Sequence, residues 1–79
     1  MRRYFFNVKD GQDIPDTEGT ELAGVAEARN QAIASAGEMI RSDGDTVWNG
    51  SDWRMDVTDE AGDRLFTLRF SADDYDVRA

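Results

Sequence analysis

Carboxylates are the residues best placed by number to do chemistry in this chain. Asp10, Asp13, Asp16, Glu18 and Glu21 crowd one stretch, and Asp43 and Asp45 with Asn49 form a second group. A calcium loop needs oxygen ligands at alternating positions, a central glycine and a closing glutamate. Counted from Asp10, Gln12 fits the third place but Ile14 fails the fifth. In the second group Val47 breaks the spacing, and Arg54 stands where the closing glutamate belongs. Both groups therefore read as solvated turn carboxylates, and no metal ligands are assigned.

Other chemistries lack their residues. The sequence contains neither histidine nor cysteine, which removes the commonest general base, the commonest metal ligand and any thiolate or disulfide. It has no Gly-rich phosphate loop and no G-x-S-x-G motif. Paired carboxylates need a cleft that perturbs their pKa values, and a chain of 79 residues leaves little room for one. The expectation is a protein that is not an enzyme, with no catalytic residues and no cofactor.

Charge narrows the partners. Seventeen acids against nine bases give a formal net charge of −8, a field that repels phosphate backbones and anionic lipid. Arg2-Arg3 beside aromatics could stack on single-stranded nucleic acid, but the expected reading is a charged strand end. Neither direct nucleic-acid binding nor membrane association is expected. Met-Arg-Arg-Tyr-Phe-Phe looks like the start of a signal peptide, yet its apolar run stops at Asn7 and Lys9-Asp10 follows. With cysteine absent, a cytoplasmic location is expected.

The elements that must position these residues follow from pattern. Arg2 to Val8 is a strand with Tyr4, Phe6 and Val8 on one face and Phe5 with Asn7 on the other. Asp10-Gly11 ends it, and Gln12 to Ala23 is a long aperiodic loop containing Ile14-Pro15. Val25 to Ile40 is a helix with Val25, Ala28, Ala32, Ala36, Met39 and Ile40 on its apolar stripe and Ile33 beside them, Gly24 as N-cap and Glu27 at N3. Ser42-Asp43-Gly44-Asp45 stops it, and Thr46-Val47-Trp48 reads as a short extended piece. Asn49-Gly50-Ser51-Asp52 is a further turn. Trp53 to Thr58 and Arg64 to Phe70 alternate as the strands of a hairpin, turning at Asp59-Glu60-Ala61-Gly62. The fold class is α+β in the order β-α-β-β, one domain over residues 1–70 with a polar, frayed tail at 71–79. A three-stranded, all-antiparallel sheet of order 1-3-2 is preferred, because Phe66, Leu68 and Phe70 make the last strand the most apolar. Placing the first strand beside the second would instead make that pair parallel.

A two-layer fold leaves one sheet face open. Phe5 and Leu65 point to that face and would form a patch on adjacent strands. The long loop, bringing Ile14 and Leu22, or a second subunit could cover it. Trp48 lies in a turn-rich segment and is the third candidate interaction residue, whereas Trp53 alternates with Met55 and Val57 and belongs to the core.

Arg3-Tyr4-Phe5-Phe6, Asp10-Gly11, Asp16 with Gly19, Glu21-Leu22, the Ala28 and Ala32 helix, and Val57-x-Asp59-Glu60-x-Gly62 ending in Leu68-x-Phe70 together resemble a family of small uncharacterised proteins. That family is common in rhizobia and related α-proteobacteria and carries a domain of unknown function. Its members often have Pro-Asp before the helix, where this chain has Ala23-Gly24. The resemblance implies a bacterial, cytoplasmic domain and brings no activity or site residues. The expected function is a non-catalytic interaction or regulatory module, homodimeric or bound to another protein, through Phe5, Leu65 and Trp48. The alternative is an acidic ligand-binding or nucleic-acid-linked protein, as mimic or accessory.

Overall fold

The computed structural model describes residues 1–49 and 52–75. Five strands and one helix follow in the order β1 (Arg2–Lys9), β2 (Asp13–Ile14), β3 (Thr20–Leu22), α1 (Val25–Trp48), β4 (Trp53–Thr58) and β5 (Arg64–Phe70). All strand pairings are antiparallel. The sheet runs β2-β1-β4-β5, and β3 also pairs with β1. The class is α+β as the pattern predicts, but the sheet has five strands rather than three. Its three long strands stand in the order first, second, third, not 1-3-2.

The long loop explains both differences. Val8 pairs with Ile14, and farther along Arg2 pairs with Leu22. The chain therefore turns at Gly11, which sits in the left-handed region at φ 98, and runs back along β1 to the level of its first residues. The helix then carries it forward again, so β4 returns antiparallel to β1, from Phe5 opposite Thr58 to Lys9 opposite Arg54. A first strand beside the second need not be parallel once the loop has reversed the chain.

Burial on both faces, not apolar content on one, selects the central strand. In β4, Trp53, Met55 and Val57 are buried on the helix side, and Asp56 is only 6% exposed on the other. β5 lies at the edge, where Phe66 and Leu68 are partly buried and Phe70 is 36% exposed, its ring meeting Trp53 edge-to-face with centroids 5.4 Å apart.

Ala28, Ala32 and Ala36 are completely buried in one cluster with Tyr4, Val8, Met55 and Val57, and the helix backbone approaches β4 and β5 more closely than β1. Ile33 follows Ala32 by one residue, about 100° round the axis, and is 62% exposed. Gly24 is the N-cap, and the Glu27 carboxylate accepts the Ala23 amide at 2.9 Å. The helix does not stop at Ser42 to Asp45, nor is Thr46 to Trp48 extended: α1 continues through Gly44 to Trp48. Asp45, Gly44 and Ser42 are weak helix formers, but Val47 is buried in the core cluster, and packing overrides local propensity. Asn49 donates its amide to Asp45 O and closes the helix. Of the turn expected at 49–52, Gly50 and Ser51 lie outside the described residues. In the expected tail, Ser71 to Tyr75 has no regular structure, although Ala72 packs against the core, and 76–79 lie outside the described residues. No described helix is long and apolar enough to cross a membrane.

The alanine contact gives a direct test of how closely helix and sheet approach. Ala32→Leu should destabilise the protein by about 1–3 kcal/mol, measured by urea denaturation, whereas Ile33→Ala on the exposed side should cost under about 1 kcal/mol.

Candidate functional site

The face of the sheet opposite the helix is built by alternation. Cross-strand partners share a face, and the pairings put Arg3, Phe5, Asn7 and Lys9 of β1 beside Thr58, Asp56 and Arg54 of β4, with Arg64, Thr67 and Arg69 of β5 beyond. Two carboxylates organise this surface: Asp16, which the sequence marks with Gly19 as a turn position, and Asp56, which it does not mark.

Asp16 is the first. Between the pairs Tyr4–Thr20 and Val8–Ile14, β1 spends residues 5–7 while the returning chain spends 15–19. The excess bulges out, and β1 would lose backbone partners there. The Asp16 carboxylate replaces them. Its Oδ2 accepts the Phe6 amide at 3.2 Å, and its Oδ1 accepts the Glu18 and Gly19 amides at 3.1 and 3.0 Å. In return the Asp16 amide donates to Asn7 Oδ1 at 3.0 Å. Burial works to raise the pKa of Asp16, but the Gly19, Phe6 and Glu18 amides and the Arg3 charge outweigh it and hold the group below its ordinary 3.8.

Asp56 is the second. The Thr67 hydroxyl donates to its Oδ1 at 2.7 Å, with Arg54 Nε 3.2 Å from Oδ2 and Arg64 Nε 3.9 Å from Oδ1. The Arg54 contact is an ion pair only, since Nε is buried and has no partner in hydrogen-bonding geometry. Burial again raises the pKa, while the Thr67 bond and the charges of Arg54, Arg64 and Lys9 bring it below 3.8.

Phe5 is covered by the loop, through a residue other than those expected. Gly19, at φ 73, lies against it so tightly that an added Cβ would stand 2.9 Å from Phe5 Cε1, 2.8 Å from Arg3 Cγ and 3.0 Å from Tyr4 O. Ile14 and Leu22 instead pair with Val8 and Arg2 and so belong to the helix face, where Leu22 packs against the core. Phe5 and Leu65 are also not on adjacent strands, because β4 separates them. Leu65 stands at the edge strand, 38% exposed, beside the irregular register at Val57 and Thr58. Trp48 is 63% exposed at the end of α1. The three residues therefore do not form one patch.

The acidic stretch is largely engaged in the fold. Asp10 accepts the Gln12 amide, Lys9 lies 3.7 Å from Asp13, and Glu21 pairs with Arg3 at 3.0 Å. Glu18 contributes its carbonyl to the Arg3 guanidinium at 2.7 Å. Among the described residues no group of three or more acids is arranged to hold a metal. The signal for Asp16 was present in the sequence as Asp-x-x-Gly in a bulging return strand. Asp56, in an alternating strand, carried no sign that its face would be closed by arginines from two strands.

The model of a protein family described as a domain of unknown function (DUF6894) matches residues 3–71. No curated protein and no solved structure matches the chain.

Gly19→Ala should cost roughly 2–4 kcal/mol, from left-handed strain plus overlap with Phe5 and the Tyr4 carbonyl, and Asp16→Ala roughly 1.5–3 kcal/mol, both by urea denaturation. Asp16 and Asp56 have folded pKa values below the unfolded one, so their stabilisation is complete well above pH 3.8. It is lost as pH falls below 3.8 through the folded values. Acid titration of the Asp16→Asn, Asp56→Asn double variant should show a shallower loss of stability across that window.

Proposed function

The chain belongs to that family, and we propose that it is a non-catalytic interaction module that self-associates through the free edge of β5. One observation carries the proposal: among the described residues β5 is paired on one side only, by β4, whereas the outer edge of β1 carries β2 and β3. An edge strand of seven residues presents a row of unpaired backbone groups.

The β5 sequence suits a twofold antiparallel contact with a second copy. With Thr67 on the axis, Phe66 stands opposite the partner's Leu68, extending the apolar strip on the helix face. Leu65 stands opposite the partner's Arg69 on the other face, so no like charges are directly opposed. Leu65 thus keeps the interaction role expected of it, at a strand edge rather than in a patch with Phe5. A non-catalytic role is supported by the absence of histidine and cysteine and by the use of Asp16 and Asp56 as ionised hydrogen-bond acceptors. The resemblance of the opening Arg3-Tyr4-Phe5-Phe6 and the closing hairpin to a family common in rhizobia implies a bacterial, cytoplasmic setting.

Sedimentation equilibrium over a concentration series tests the contact and its register. Leu65→Arg should weaken the dimer and Leu65→Glu should tighten it. Each directly opposed pair is worth about 0.2–1 kcal/mol, and a twofold interface holds two. A monomer at every concentration, or the same effect from both variants, would overturn the proposal.

A further inference from the structure

Lys9, Arg54 and Arg69 are directly opposed on three neighbouring strands. At a strand spacing of about 4.8 Å the row spans roughly 10 Å. Like charges placed so oppose folding, and a chain with seventeen acids had ample means to avoid them. Existing partners neutralise the row incompletely. Lys9 has a loose pair with Asp13, at 3.7 Å, with its side chain half in solvent, and acts on Asp56 only through its charge. Arg54 touches Asp56 without a hydrogen bond from Nε. Arg69 forms no ion pair among the described residues.

These three side chains line one concavity of about 400 Å³, with Asp52, Phe70 and Ser71 also on its wall. That volume falls in the range of small-molecule sites. We infer that this pocket is an anion-binding site for a phosphate group, carried by a small phosphomonoester or present as free phosphate. Three cations meet one acid on the wall, with Asp13 and Asp56 set against Lys9 and Arg54, so Arg69, which has no ion pair among the described residues, is the charge left to meet the phosphate. The arginines can each supply paired N–H donors to its oxygens, and Lys9 adds a point charge. The net charge of −8 acts against a long polyanion, which must pass over the acidic remainder of the surface, far more than against a small ligand held in the pocket.

The site can be read by amide chemical shifts of the whole protein, titrated with inorganic phosphate and with glycerol 3-phosphate at constant ionic strength. Saturable shifts centred on Lys9, Arg54, Arg69 and Ser71 are expected. Tighter saturation by the ester assigns a phosphomonoester, and the reverse assigns free phosphate. Arg69→Gln should weaken binding by at least about tenfold. Arg64→Gln, the same charge change on the same face but outside the pocket, should leave it within about twofold. Both arginines are exposed, and a thermal melt of each variant checks that it is folded. Three results would overturn the inference: no saturable shifts, equal weakening by the two folded variants, or tighter binding of a twelve-base single-stranded DNA with shifts spread over the whole face. The amides of Lys9 and Arg54 lie away from the outer edge of β5; because Arg69 faces Leu65 of a second copy in the proposed dimer, the Arg69→Gln titration is read at a protein concentration where sedimentation shows monomer.

Discussion

The Asp16 carboxylate bridges two stretches of backbone that cannot hydrogen-bond each other directly. The return run from Asp13 to Leu22 is longer than the part of β1 it faces, and the surplus must leave the ladder. Without an acceptor, the Phe6 amide would be left in a partly closed site without a partner. One ionised side chain serves that amide and also shapes the bulge by holding the Glu18 and Gly19 amides. Gly19 is thereby seated on Phe5, and Thr20 re-enters register with Tyr4. The start of the helix, the direction of β4 and the position of β5 all depend on the chain being delivered back to Arg2.

The legible part of the fold was the part with a period. Alternation located β1, β4 and β5 to within a residue, and three- and four-residue spacing located the buried alanines. Elements whose stability is tertiary were not legible. β2 and β3 are too short to carry a pattern, and they exist because β1 offers them an edge. The last two turns of α1 contain residues that usually stop helices, and Val47 holds them by its burial. Strand order was misjudged for a related reason. The apolar content of β5 describes one of its faces, whereas a central strand is covered on both, and the polar cover over Asp56 comes from residues distant in sequence.

The same distance hid the cations. Read along the chain, Lys9, Arg54 and Arg69 are isolated charges among acids, and no basic stripe exists. The pleat and the register make them neighbours. A net charge sums over the surface and loses its arrangement. The open face holds Arg3, Lys9, Arg54, Arg64 and Arg69, more than half of the nine basic residues, interleaved with Asp13, Asp16, Glu21 and Asp56, so the cations of an acidic chain gather on one face. The candidate residues Phe5, Leu65 and Trp48 met different fates because apolar character alone does not specify cover. Phe5 is partly covered by a glycine whose value lies in having no side chain.

The reversal of the chain along β1 also sorts the sheet by distance along the polypeptide. On one edge, β1 meets partners that follow it immediately, from Lys9 with Asp13 to Arg2 with Leu22. On the other edge, every partner comes from beyond the helix, from Lys9 with Arg54 to Phe5 with Thr58. Loops of such different length carry different closure entropies, so the two edges of one strand are closed at different entropic cost. During synthesis the segment from Arg2 to Leu22 leaves the ribosome before the hairpin and holds the strands of the cheaply closed edge, while Phe6 and Val8 wait for β4. A nascent chain of this protein can thus carry its most aromatic strand with part of one edge occupied, which reduces the backbone open to misplaced pairing before the hairpin arrives.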